Sequence, residues 1–121
     1  MEKISCDRIV LGKKIEASCI ILDVGICVYV MGGDQSHIGA ATLIDIDGNE
    51  ITNEIPGHRE SAITKQWARI LYEEGLKPVQ VTAGVHYEKI KKEDIELIMQ
   101  ETQSLLQEIL THLGKSEQLA L

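Results

Sequence analysis

The sequence predicts an α+β fold: a mostly antiparallel sheet of four to five strands with two helices packed on one face. Short apolar or alternating runs fill the first half of the chain, and glycines and polar turns separate them, which indicates strands joined by hairpins. Two later segments repeat apolar residues at helical spacing instead. Hairpins followed by helices are typical of a sheet with its helices on one side, here in the order β-β-β-(β)-α-β-α.

The strands are predicted from runs of apolar residues bounded by turn residues. They cover 15–24, 26–31, 38–47, a short extended piece at 50–55, and a run that begins at Val79 and ends within 84–87. Alternation in the third strand predicts one face made of Ile38, Ala40, Thr42, Ile44 and Ile46. Small residues at the start of that strand indicate that another backbone, a helix or a ligand lies close to it.

Two helices follow from the change of period. The first is predicted over 58–74, with an apolar face of Ile63, Trp67, Ile70 and Leu71. The second is predicted over 92–113, where a long apolar stripe follows two acidic residues in the first turn, and Gly114 is suited to end it. We expect the tail after Lys115 to fray.

The composition favours one domain over residues 1–121 and excludes several functions. The formal charge of -7 argues against nucleic-acid backbones and anionic membranes as partners, and one Trp, three Tyr and no Phe leave few rings on which bases stack. Cys6, Cys19 and Cys27 have no CxxC spacing, so no disulfide framework is expected. The first residues lack the apolar core of a signal peptide. We therefore expect a cytoplasmic protein with reduced thiols.

The segment 31–40 joins two predicted strands and has two interpretations. Its candidate ligand-contacting residues are Gly32, Gly33, Asp34, His37, Gly39 and Ala40. Glycines let a backbone approach a ligand, and an Asp and a His three positions apart are suited to a metal or a polar group. The alternative is an ordinary turn, which needs glycine and is polar because it is solvated.

Three of the four histidines lie at element boundaries. His37 opens the third strand, His58 opens the first helix, and His86 ends the last strand. If these boundaries meet at one end of the sheet, three imidazoles and Asp34 converge and form a site for a divalent first-row metal. The spacing alone is not a metal motif, so this prediction depends on the topology. His112, near the end of the last helix, is assigned no role.

Arg59 lies at the predicted start of the first helix, where free N–H groups and a positive charge favour phosphate or carboxylate. The alternative is a solvated Arg beside a capping Glu60 or Ser61. Nucleophile elbows, G-x-G-x-x-G loops and Walker A loops are absent from the sequence. Known catalytic motifs therefore do not point to an enzyme.

Three motifs together resemble the LpdD-like family, whose members are often labelled as small components of gallate decarboxylase. They are Met-Gly-Gly-Asp-Gln-Ser-His-Ile-Gly-Ala at 31–40, His-Arg-Glu at 58–60 and Val-Thr-Ala-Gly-Val-His at 81–86, and the resemblance covers roughly residues 15–110. It implies a fold similar to that of proteasome assembly chaperones. It also implies a chaperone that binds prenylated FMN and helps deliver it to UbiD-type decarboxylases.

The resemblance leads to a hypothesis for the site. Prenylated FMN, or FMN, is the cargo, and a divalent metal held by His37, His58 and His86 bridges to its phosphate. Arg59, Asp34 and the backbone N–H groups of Gly32 and Gly33 complete the polar part of the site. The small residues Gly39, Ala40, Ala83 and Gly84 leave room for the ring system.

Two other functions remain open at this stage. One alternative to the chaperone is a structural assembly factor that binds a protein partner without a small ligand. The other is a small subunit of a gallate-type decarboxylase. As a chaperone it has a UbiD-type decarboxylase and the flavin prenyltransferase as expected partners. The many apolar sheet residues, with only two helices to cover them, favour a homodimer through the open face of the sheet.

Overall fold

The protein is described by a computed structural model over residues 1–114, and the tail expected to fray after Lys115 lies outside the described residues. One six-stranded sheet and two helices form an α+β fold, which confirms the predicted class. The elements are β1 (Glu2–Val10), β2 (Lys13–Ile21), β3 (Ile26–Gly33), β4 (Gln35–Ile44), β5 (Glu50–Glu54), α1 (Ser61–Glu73), β6 (Val79–His86) and α2 (Lys92–His112).

The strand order is β1-β2-β3-β6-β4-β5, so β6 is inserted between β3 and β4. Only β3 and β6 pair in parallel, and the other neighbours are antiparallel. Gly33 at the end of β3 pairs with His86 at the end of β6, and Gln35 at the start of β4 pairs with the same residue. The C-terminal ends of β3 and β6 and the start of β4 therefore lie side by side at one end of the sheet.

The sheet has six strands where four to five were predicted, because β1 was missed. Its inward positions include Cys6 and Val10, which are buried, but also Arg8. The Arg8 guanidinium reaches α2, where it donates to Glu108 Oε1 at 2.7 Å and to Ser104 Oγ at 3.1 Å. Because Arg8 occupies one of the inward-facing positions, the sequence of this strand does not show a regular alternation of apolar and polar residues.

A bulge changes the face of β4 on which its first residues lie. The register against β6 shifts between Ser36 and Ala40, so Ile38 is 62% exposed while Ala40 is buried. Ile46 lies beyond the end of the strand and is also exposed. The prediction that these two isoleucines share the face of the buried β4 residues is wrong, because the bulge turns Ile38 outward and the strand ends before Ile46.

Both helices pack on one face of the sheet, α1 over β4 and β6 and α2 over β1 and β2. The core between the layers contains the fully buried Trp67, Leu71, Leu105 and Ile109. Burial raises the pKa of Cys6 to about 11 and that of Cys19 to about 12, so both behave as small apolar side chains. Within residues 1–114, neither helix combines the length and apolarity needed to cross a membrane.

The two helices differ in how well their starts were predicted. α2 begins at Lys92 as predicted, and Asp94 in its first turn accepts the N–H of Lys91 at 2.9 Å. α1 begins at Ser61, three residues later than predicted, because the preceding residues form a turn in which His58 N–H donates to the carbonyl of Ile55. The residues 58–60 are thereby freed from the helix and lie at its entrance.

Candidate functional site

Three separate segments bring their histidines to the same end of the sheet. His37 lies on the bulge of β4, His58 lies in the turn before α1, and His86 ends β6. The rings of His37 and His58 have centroids 4.7 Å apart, and those of His37 and His86 are 6.0 Å apart. The insertion of β6 beside β4 produces this proximity.

Glu60 also belongs to the cluster, although the sequence predicts it as a helix cap and as the last residue of the His-Arg-Glu motif at 58–60. Its Oε1 lies 3.0 Å from His37 Nε2, and its Oε2 lies 3.8 Å from His58 Nδ1. The Glu60 side chain is 9% exposed, and its Oε2 is buried with no hydrogen-bond partner among the described residues. It forms no capping hydrogen bond to the helix. The sequence feature that points to Glu60 as a site residue is its position two residues after His58, just before α1.

His37 contacts polar atoms through both of its ring nitrogens. Its Nδ1 lies 3.2 Å from the carbonyl oxygen of Gln35, which can accept a proton from it. Its Nε2 lies 3.0 Å from Glu60 Oε1 and 3.1 Å from His58 Nδ1. A metal-binding histidine typically donates its other ring N–H to a carbonyl in this way. The ligand atoms of His37, His58 and Glu60 all lie within 4.8 Å of one another, a separation suited to one metal ion.

His86 and Asp34 lie beside this group. The His86 side chain is half-exposed, and its Nε2 is 4.0 Å from Glu88 Oε1. Asp34 Oδ2 accepts the N–H of Glu88 at 2.9 Å, and its Oδ1 lies 3.5 Å from Lys13 Nζ. The Glu88 N–H, with the nearby Lys13 ammonium, lowers the pKa of Asp34. In the described residues Asp34 therefore ties the end of β3 to the segment after β6.

Two glycines allow the cluster to form. A Cβ on Gly84 of β6 would run into the carbonyl of His37, so only glycine permits the bulge of β4 to lie against β6. A Cβ on Gly39 would occupy the position of the Glu60 carboxylate. Both residues are therefore needed to seat side chains of the protein itself.

The remaining small residues also pack within the protein. Gly32 and Gly33 have positive φ, and a Cβ on either would meet a neighbouring backbone, that of Lys14 or of His86. Ala40 and Ala83 are register partners in β4 and β6, and both are buried. The assignment of all these residues to the cargo stays a prediction.

A cleft of about 360 Å³ opens beside the cluster, between the entrance of α1, the end of β6 and the first turns of α2. His58, Arg59, Glu60 and His86 contribute its polar lining. Its apolar lining includes Ile63, Val85, Ile90, Ile95, Ile98 and Met99, and Gly57 and Tyr87 complete the wall. Arg59 is exposed and forms no ion pair with any residue in the described part of the chain, so its charge is available to a ligand.

The fold and site define a small α+β protein with a ligand-sized cleft bordered by imidazoles, a buried carboxylate and a free guanidinium. The family profile described as prenylated flavin chaperone LpdD-like domain matches residues 11–114, so the chain belongs to that family. This confirms the resemblance seen in the three sequence motifs. A search of curated proteins finds no match.

Proposed function

We propose that this chain is a non-catalytic chaperone that binds prenylated FMN through a metal-phosphate site and delivers it to a UbiD-type decarboxylase. The observation that carries the proposal is the cleft, because its apolar walls adjoin a cluster of imidazoles with an exposed arginine. Family membership supports the same cargo. The close approach of the histidines favours this function over that of an assembly factor without a small ligand.

The cargo has two chemically different parts, and the cleft offers a surface for each. The flat ring system lies against apolar side chains such as Ile63 and Met99, where burial of apolar area stabilises the complex. The phosphate lies toward a divalent ion at the histidine cluster, where Arg59 and His86 add donors. In this proposal the N–H groups of Gly32 and Gly33, together with Asp34, complete the polar part of the site from the end of β3, outside the residues that line the cleft.

Binding is tested by anaerobic titration of the chain with reduced prenylated FMN, with and without a divalent metal, followed by absorbance and by co-elution in gel filtration. We expect one flavin per chain, and a loss of binding on addition of a chelator because the phosphate contact depends on the ion. Riboflavin, which lacks the phosphate, is the control and should not show the metal dependence. Failure of prenylated FMN to bind in the presence of metal would contradict the proposal.

Delivery is tested with the loaded chain and an apo form of a UbiD-type decarboxylase. The flavin prenyltransferase supplies the cargo in this scheme, and transfer to the decarboxylase restores its activity faster than free flavin does. Equal rates from loaded chain and free flavin would leave the chain as a binder rather than a delivery protein.

As part of the same proposal the chain is a homodimer in the cytoplasm, and the open face of the sheet supports the dimer. This face carries exposed apolar side chains, among them Tyr29 of β3 and the cross-strand pair Leu43 and Ile51 of β4 and β5. We expect light scattering to give twice the mass of one chain, and Leu43→Asp to lower it to one. A wild-type mass of one chain would contradict the dimer.

A further inference from the structure

We infer that Glu60 is the third ligand of a metal centre formed with His37 and His58, and that the centre takes a divalent first-row transition ion. His86 is then not a ligand but faces the bound anion. This inference rests on the proposed function, because it specifies the ligands of the ion that the metal-phosphate site requires. Three independent features of the cluster support it.

The first feature is a buried carboxylate with an unpartnered oxygen. Glu60 Oε2 is buried with no hydrogen-bond partner among residues 1–114, and Glu60 Oε1 lies 3.0 Å from His37 Nε2. A buried carboxylate is costly unless a positive charge or hydrogen bonds compensate for it. A cation bound by Glu60 and the two imidazoles supplies that compensation.

The second feature is the spacing of the ligand atoms. Metal–nitrogen and metal–oxygen bonds are about 2.0–2.2 Å long, so two ligands at right angles on one ion are about 3 Å apart. The distances from His37 Nε2 to His58 Nδ1 and to Glu60 Oε1 are 3.1 and 3.0 Å. Two edges of one octahedral face are thus already present. The other carboxylate oxygen, Glu60 Oε2, lies 3.8 Å from His58 Nδ1, and the three ligand atoms all lie within 4.8 Å of one another. The His58 side chain is 34% exposed, which leaves its ring room to adjust.

The third feature is the donor set itself. Two imidazoles and one carboxylate suit Mn²⁺, Fe²⁺, Co²⁺ or Zn²⁺, whereas Mg²⁺ and Ca²⁺ prefer ligands that are all oxygen. Three protein ligands on one side leave the opposite positions to water or to phosphate oxygens. The ring of His86 is centred 6.0 Å from that of His37 and is half-exposed, so its nitrogen is suited to donate to such an anion.

The test is titration of the chain with Co²⁺ in the absence of flavin, followed through the visible absorbance of the bound ion. We expect one Co²⁺ per chain and no displacement by a large excess of Mg²⁺. Glu60→Gln should weaken Co²⁺ binding by more than about 100-fold, since even loss of outer-shell partners costs about 10- to 100-fold. Glu73→Gln, at the other end of α1, is the matched control and should bind as the wild type does. His86→Ala should retain Co²⁺ binding, because its imidazole is not one of the proposed ligands.

A measurement on the wild-type chain provides a check that does not depend on the folding of a variant. On addition of Zn²⁺, the imidazole NMR signals of His37 and His58 should shift strongly, and that of His86 should shift little. Unchanged Co²⁺ affinity in a folded Glu60→Gln, or its loss in His86→Ala, would overturn the ligand assignment. If Co²⁺ binds as expected but prenylated FMN does not, the proposed function fails and the metal centre stands. If prenylated FMN binds equally well with and without an ion, the metal-phosphate part of the proposed function fails, whereas the metal centre is judged by the Co²⁺ titration alone.

Discussion

His37→Ala is expected to lower the affinity for prenylated FMN by about 100-fold or more, which corresponds to about 2.7 kcal/mol of binding free energy. The reason is that His37 Nε2 is the atom that approaches both His58 and Glu60, so its loss removes the centre of the cluster. The fold should persist, because the His37 ring lies near the start of β4, at the end of the sheet, and is not part of the apolar core. Anaerobic flavin titration gives the affinity, and circular dichroism checks the fold.

Two further variants make this result specific. His112→Ala changes a histidine in the last turn of α2, and it should bind flavin as the wild type does. His86→Ala should weaken flavin binding while Co²⁺ binding is kept, because His86 faces the bound anion in the proposed centre and is not one of its metal ligands. A His37→Ala protein that binds prenylated FMN with wild-type affinity and metal dependence would rule out the proposed site.

Gly84→Ala is expected to destabilise the fold by about 3 kcal/mol, the upper part of the usual range for a methyl group inserted into a packed site. The new Cβ would collide with the carbonyl of His37 in the neighbouring strand. Since Ala40 and Ala83 hold the two strands in register beside it, the strain is relieved only by disrupting the bulge. Urea unfolding measures the loss of stability, and Co²⁺ titration of the folded protein measures the displacement of His37.

Gly39→Ala is the informative comparison, because its new Cβ would meet the side chain of Glu60 rather than a backbone. A side chain moves more easily than a strand, so we expect a stability loss of less than about 1 kcal/mol together with a clear loss of Co²⁺ binding. Equal stability losses in Gly39→Ala and Gly84→Ala would contradict the distinction between the two contacts. Wild-type Co²⁺ affinity in Gly84→Ala would show that His37 does not depend on the bulge.

The sequence alone determined the fold class, most of the elements and the candidate residues of the site. Helix α2 and strands β2, β3 and β6 were predictable because their apolar residues recur with the period of the element. The three motifs also indicated the family, because a motif is a set of residue types at fixed positions and can be recognised without knowledge of the fold. The ligand atoms of three residues converge, and two of these residues, His37 and His58, are predictable from their positions at the boundaries of predicted elements.

Other features were decided only by tertiary structure. Strand β1 was missed because Arg8 interrupts its apolar phase, and its partner Glu108 lies about a hundred residues away in the chain. Glu60 resembled a helix cap locally, and its burial against His37 depends on the bulge of β4 and on the absence of a side chain at Gly39. The insertion of β6 between β3 and β4 placed His86 near His37. These are long-range pairings and close contacts, and a local sequence pattern does not encode which distant strand becomes a neighbour.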